Sequence, residues 1–214
     1  MTSCEQMRAL MVDNQLRTSG VLDWRILAQM GAVPRENFVP EDRRSTAYSD
    51  GVQWLGPVGR SRFVAPPAVF GKLVQLAEIK EHETVLDIGA ASGYSTAVLA
   101  GLAESVFGFE PDADLAAQAA QTLAGMGLAN ASVGAELGDA LYDVVIVEGA
   151  LHQVPSQYLA RLKDGGRLVA LIQAGAVAVA NVLVNVGGKV SARREFNASL
   201  PLLPVAAPVQ EFVF

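Results

Sequence analysis

Ten residues near the middle of the chain, Val85-Leu86-Asp87-Ile88-Gly89-Ala90-Ala91-Ser92-Gly93-Tyr94, constrain the fold more than any other stretch. An apolar run ends in a carboxylate and a turn of small residues, and a helix-competent segment follows over 95–102. A parallel-sheet protein opens a nucleotide pocket in this way. The strand carries Asp87 to the C-terminal edge of the sheet, the glycines let backbone approach a ligand, and the next helix directs its first N–H groups there.

Two kinds of nucleotide fold use such a turn. The dinucleotide fingerprint is G-x-G-x-x-G. Aligned on Gly89, its second and third glycines fall on Ala91 and Tyr94, and tyrosine cannot serve where helix and strand must pack closely. The turn of S-adenosylmethionine (SAM) binders resembles D/E-x-G-x-G-x-G, which Asp87, Gly89 and Gly93 match, with Ala91 in place of the middle glycine. A carboxylate at Asp87 suits the cationic methionine end of SAM and repels a pyrophosphate. The residues favour SAM, held by Asp87, Gly89, Ala90, Ala91, Ser92 and Gly93. One strand later, Ser105-Val106-Phe107-Gly108-Phe109-Glu110 ends in an acid at the spacing of about 20 residues that places a carboxylate on ribose hydroxyls. By itself Glu110 is a solvated acid; after the glycine turn it reads as the ribose ligand.

A chain of 214 residues has ample length for one sizeable core. A formal net charge of −6 argues against a nucleic-acid or anionic-membrane binder. The single cysteine, Cys4, excludes an intramolecular disulfide and fits a reducing cytoplasm, and residues 1–19 carry charges and no apolar signal core. Residues 168–188 lack any charge and are long enough for a membrane helix. Their valines, asparagines and closing Gly187-Gly188 read instead as buried strands, so no membrane span is expected.

Helical spacing marks 5–15 and 23–30, the latter with Asp23 as N-cap, and Pro/Gly punctuation makes 34–62 irregular. A helix over 67–79 precedes alternating strands (84–88, 105–110, 131–133, 143–147, 167–173) and helices (95–103, 113–126, 156–162), with a turn at Asp164-Gly165-Gly166. Segments 176–186 and 189–196 form a hairpin around Gly187-Gly188. The expected fold is α/β: a doubly wound, mostly parallel sheet of the SAM-dependent methyltransferase (Rossmann-like) type, with N-terminal helices and a C-terminal antiparallel hairpin. Residues 1–66 form a helical, substrate-covering segment, and 67–214 the cofactor-binding core.

Six stretches make up a pattern: Met11-Val12-x-x-Gln15-Leu16, Val33-Pro34-Arg35-Glu36-x-Phe38-Val39-Pro40, Ala47-Tyr48-x-Asp50, the segment 85–99 with Ser92-Gly93-Tyr94, Val154-Pro155, and Leu162-Lys163-x-Gly165-Gly166-Arg167-Leu168-Val169. In this order they resemble the protein-L-isoaspartate (D-aspartate) O-methyltransferase family over most of the chain. The resemblance implies SAM-dependent methylation of the isoaspartyl α-carboxylate in damaged proteins and peptides, after which the ester collapses to a succinimide.

Three departures from the family pattern stand out. The family has a segment similar to G-Q-T-I-S-Q-P, whose serine lies near the transferred methyl. Here Gly59-Arg60-Ser61-Arg62-Phe63-Val64-Ala65-Pro66 puts Val64 at that serine if aligned on the proline, or Phe63 if aligned on the glycine, which also sets Ser61 at the family threonine. Ser61, Phe63 and Val64 are therefore the residues expected beside the reacting methyl. The family's Gly-Asp-Gly, whose aspartate meets adenine, is replaced by Gly134-Ala135-Glu136 or Gly138-Asp139-Ala140, leaving Glu136 or Asp139 for that contact. Glu148 stands where the family has a small residue, as a new functional group or a solvated loop acid.

Arg43, Arg44, Arg60 and Arg62 are expected over the active site, either as solvated charges or as recruiters of an acidic substrate. His82 and His152 read as loop residues, and Trp24 and Trp54 as packing residues. No His/Cys set has metal-ligand spacing. The expected activity is isoaspartyl O-methylation. The alternatives are methylation of another carboxylate or small molecule on the same scaffold, and a non-catalytic SAM-binding or interaction protein.

Overall fold

The computed structural model describes residues 3–56, 62–175 and 177–204. Helix α1 (Cys4–Met11) opens with a capping box in which Ser3 and Gln6 satisfy each other's backbone N–H groups. The helical path then loosens into a π turn (Val12–Leu16) and a short 3-10 turn (Arg17–Ser19) that stops at Gly20. Helix α2 (Trp24–Ala32) is capped by Asp23, as its sequence indicates. The stretch read as irregular holds two 3-10 turns (Arg35–Phe38 and Glu41–Thr46) and a small antiparallel ribbon of β1 (Gln53–Trp54) with β2 (Phe63–Val64).

Helix α3 (Pro67–Ala77) leads into the main sheet. Its elements are β3 (Thr84–Ile88), α4 (Tyr94–Ala100), β4 (Ser105–Phe109), α5 (Ala113–Gly125), β5 (Ala131–Gly134), β6 (Tyr142–Leu151), α6 (Ser156–Leu159), β7 (Leu162–Ala174), β8 (Val177–Val186) and β9 (Lys189–Ala198). The strand order is β5-β4-β3-β6-β7-β8-β9, parallel through β7 and antiparallel for the last two. The chain builds outward from β3 to β5, then crosses back to lay β6 on the other side of β3. A crevice therefore opens at the C-terminal ends of β3 and β6, the switch point where α/β sheets hold ligands.

Val144, Val145, Ile146 and Val147 on β6, and Leu168, Val169, Ala170 and Leu171 on β7, are wholly buried. Both faces of these strands are covered, which is why their sequences are continuous apolar runs. The uncharged segment 168–188 is most of β7 and the whole of β8, and among the described residues no helix is long and apolar enough to cross a membrane.

Three local expectations are corrected. The helix expected over 156–162 ends at Leu159, because Leu162 is already paired with Tyr142. Asp164-Gly165-Gly166 is a bulge inside β7 rather than a turn before it; a side chain on Gly166 would meet the carbonyls of Lys163, Tyr142 and Asp143 at 2.9–3.2 Å. Trp24, read as a packing residue, is 74% exposed, whereas Trp54 does pack edge-on against Phe63.

One side chain ties the N-terminal segment to the sheet. Arg35 is completely buried, donating from Nε to the Ala47 carbonyl (2.7 Å) and from Nη2 to the Ala65 carbonyl (2.7 Å). Its guanidinium lies 4.6 Å from the centroid of the Tyr94 ring at the start of α4. Arg35→Met would keep the volume but leave two buried carbonyls without donors, at a cost of roughly 2–4 kcal/mol. Arg35→Lys, with a single ammonium that cannot span both carbonyls, should recover less than half of that. Urea denaturation checks this, and an unchanged midpoint in the methionine variant would refute the bridging role.

Candidate functional site

The glycine turn follows β3 directly. Gly89 (φ +82°), Ala91 (φ +52°) and Gly93 (φ +90°) are all left-handed, so Ala91 holds a conformation that costs an L-residue roughly 1 kcal/mol. The turn is laced to the neighbouring strand, with the Gly89 and Ala90 N–H groups donating to the Phe109 carbonyl at 2.9 and 3.2 Å. Ser92 donates to the Phe38 carbonyl (2.6 Å), joining the turn to the N-terminal segment.

Asp87 is fully buried below the turn. Oδ2 accepts from Ser95 (2.7 Å) and Thr96 (2.6 Å), while Oδ1 is buried without a partner. Burial pushes its pKa up to about 6; the two hydroxyls pull it down and the charge of Glu110 adds to the rise. An orphaned carboxylate oxygen beside a backbone turn is a receptor for a cation, so these residues fit the charged methionine end of SAM.

Glu110, also fully buried, accepts from the Ala91 N–H (3.1 Å), the Asp112 N–H (3.0 Å) and Arg62 Nε (2.8 Å). Three donors, one of them a cation, satisfy this buried carboxylate. Arg62, expected with three other arginines over the acceptor, is instead paired with Glu110. Arg44 is exposed, Arg43 is half-buried, and Arg60 lies outside the described residues. Arg62 also lines an open hollow of about 490 Å³ together with Leu55, Asp112, Leu115 and Pro204.

Phe63 and Val64 on β2 are buried against the glycine turn. With Gly89, Ala91, Tyr94 and Glu148 they line a small, partly open cavity of about 10 Å³. Ser61 lies outside the described residues. Glu136 is exposed in the loop after β5, and Asp139 is fully exposed and paired with Arg161 at 3.0 Å; neither lines this cavity. His82 and His152 are both exposed.

Two contributors were not read from the sequence. Arg35 stands beside Glu36 in the Val-Pro-Arg-Glu stretch, and nothing in that local pattern marks it as interior. Leu203 had no signal: the segment after β9 returns across β6, with the Leu203 N–H donating to the Ala150 carbonyl (2.9 Å), and lays the leucine on Gly89. A Cβ on Gly89 would lie 3.0 Å from it.

A parallel sheet with this glycine turn, an acid closing the second strand and an antiparallel edge defines the SAM-dependent methyltransferase class. The profile of the family described as "Protein-L-isoaspartate(D-aspartate) O-methyltransferase (PCMT)" matches residues 5–200, and the chain belongs to that family. Protein-L-isoaspartate O-methyltransferase 2 of Anaeromyxobacter sp. (strain Fw109-5) is 38% identical over 173 residues, covering 77% of this chain and 69% of that protein. Protein-L-isoaspartate O-methyltransferase 1 of Syntrophobacter fumaroxidans (strain DSM 10017 / MPOB) is 37% identical over 175 residues, covering 79% and 80%.

Among solved structures, a protein-L-isoaspartate O-methyltransferase superposes with a TM-score of 0.78 at 20% identity, over 94% of this chain and 66% of that one. A Plasmodium falciparum protein, solved with S-adenosyl-L-homocysteine and described as a β-aspartate methyltransferase, superposes with a TM-score of 0.76 at 18% identity, over 92% and 97%. At these identities the structural likeness establishes the fold alone.

Asp87→Asn keeps an acceptor for Ser95 and Thr96 and removes the charge. Because folding raises this acid's pKa from 3.8 to about 6, the folded protein holds a proton that the unfolded chain releases, and stability falls as pH climbs through that window. The variant should therefore melt several degrees above the native protein at pH 8, with the gap narrowing toward pH 4, while its affinity for SAM falls at least tenfold. A melting series with binding titrations tests both; an unchanged affinity would remove Asp87 from the cofactor site.

Proposed function

We propose that this protein is a SAM-dependent O-methyltransferase that esterifies the α-carboxylate of isoaspartyl residues in damaged proteins and peptides. The observation that carries this reading is the family match across residues 5–200 on a chain whose glycine turn keeps an unpartnered buried carboxylate oxygen. The cofactor supplies a methyl group on a sulfonium. Asp87 would balance its charge, the backbone of 89–93 would pack along its methionine part, and Glu110 would accept from its ribose. Glu136 is the proposed partner of the adenine amino group.

The acceptor asks for no base, since an ordinary carboxylate, with a pKa of about 4, is already ionised at neutral pH. The work left to the protein is to align an oxygen with the methyl and to keep water out. Ser61, Phe63 and Val64 are proposed beside the reacting atoms, where the two buried side chains exclude water. Residues 1–66 would cover the acceptor side and 67–214 carry the cofactor, the stacking of Arg35 on Tyr94 joining the two. Once the ester forms, the following backbone nitrogen displaces methanol and closes a succinimide, whose hydrolysis returns part of the chain to normal aspartate. The proposed compartment is the cytoplasm, which the single cysteine supports.

Transfer of labelled methyl from SAM to an isoaspartyl peptide, with its aspartyl isomer as control, is the deciding assay. Base-labile label on the isoaspartyl peptide alone is expected; label on neither, from protein that binds SAM, overturns the reading. A second expectation concerns Arg62, which shares Glu110 Oε1 with the Asp112 N–H and so takes an acceptor position that a ribose hydroxyl needs. Arg62→Gln should tighten S-adenosyl-L-homocysteine binding several-fold by calorimetry, and weaker binding would make Arg62 a ligand of the cofactor instead.

A further inference from the structure

Glu148 is a buried acid to which the fold assigns no task. It follows Val147, the last residue of β6 paired with β3, and falls where the pairing with β7 is interrupted: β6 advances from Ile146 to Ala150 while β7 advances only from Val169 to Leu171. Such a bulge re-aims a side chain. Here it directs Glu148, 5% exposed, into the cavity that the glycine turn shares with Phe63 and Val64. Oε1 is buried and has no hydrogen-bond partner. A carboxyl so placed must carry a proton, meet a cation or meet a ligand.

The groups facing it come from three elements. Asp87 at the end of β3 is a like charge with its own unpartnered oxygen; Arg35 is an opposite charge already committed to two carbonyls; Tyr94 at the start of α4 is neutral. Burial first, then Asp87, drive the Glu148 pKa well above the usual carboxylate range, with Arg35 opposing them. Of the other side chains lining the cavity, Phe63, Val64, Ala65 and Phe70 are apolar, the Ser95 hydroxyl is committed to Asp87, and the buried Tyr94 hydroxyl has no partner.

We propose that Glu148 is a specificity-determining residue of the methyl-transfer site, its carboxylic acid donating a hydrogen bond to one oxygen of the acceptor carboxylate while the other oxygen takes the methyl. A lone pair of that second oxygen forms the new C–O bond as the C–S bond breaks toward sulfur. Glu148 keeps its proton throughout, and no base or further reactant enters. An ionised Glu148 would repel the acceptor, so the protonated acid selects a carboxylate that an apolar wall could not orient. The inference rests on the isoaspartyl reading.

The test compares the native protein with Glu148→Gln, which keeps a donor but cannot ionise, and Glu148→Ala, which has neither property. Two readouts are taken: kcat/KM for the isoaspartyl peptide from pH 6 to pH 10, and calorimetric binding of that peptide to protein loaded with S-adenosyl-L-homocysteine. The alanine variant should lose about 10- to 30-fold in both, with cofactor affinity within twofold of native. The glutamine variant should stay within about fivefold at pH 7 and lack the fall that the native protein shows at high pH. Native behaviour of the alanine variant overturns the proposal, as does a glutamine variant retaining the high-pH fall; the latter comparison decides should the alanine variant not fold. A native protein that leaves the isoaspartyl peptide unlabelled overturns the isoaspartyl reading itself, and with it this one.

Discussion

The architecture of the site depends on one buried cation. Arg35 reaches the carbonyls of Ala47 and Ala65 from the 3-10 turn Arg35–Phe38 and lies against the ring of Tyr94, the first residue of α4. A guanidinium is suited to this because its donors point in fixed directions and can satisfy separated carbonyls at once. Ala65 adjoins Val64, so the same bond that anchors the irregular N-terminal segment also seats β2 over the glycine turn. Ser92 reinforces the junction from the other side through the Phe38 carbonyl. With these bridges in place, Phe63, Val64 and Ala65 form one wall of the cavity beside the glycine turn.

Three buried acids sit at the C-terminal edge of that sheet, and the protein treats each differently. Glu110 is surrounded by two backbone N–H groups and a guanidinium. Asp87 has two hydroxyls on one oxygen and nothing on the other, so its pKa climbs toward neutrality. Glu148 has no hydrogen bond on Oε1 and faces Asp87, which makes the proton the cheapest available counter-charge. The gradient runs from a satisfied carboxylate to an unsatisfied one, and unsatisfied buried groups are where a ligand gains most by binding.

The glycine turn, the acid ending β4 and the helix–strand alternation were legible because each depends on local backbone geometry or on short-period burial. So was the hairpin of β8 and β9, announced by Gly187-Gly188. The sequence misjudged Trp24, which faces outward, and the end of α6, where a long-range pair between Leu162 and Tyr142 overrides helix-compatible residues. It grouped Arg62 with Arg43 and Arg44 because they share a charged neighbourhood along the chain. Only folding sends Arg62 48 residues away, to Glu110.

By itself, then, the sequence determined the class of fold, the glycine turn and the family, since these are written in contiguous motifs whose residue types answer local needs: small residues at left-handed positions, a carboxylate at a strand end. The tertiary structure decided which charges meet. That Arg35 is interior, that Arg62 occupies Glu110, that Leu203 covers Gly89 and that a bulge turns Glu148 toward Phe63 and Val64 all follow from packing between segments far apart in the chain. The energy of a buried charge is set by what surrounds it in space, and no local pattern of residues encodes that environment.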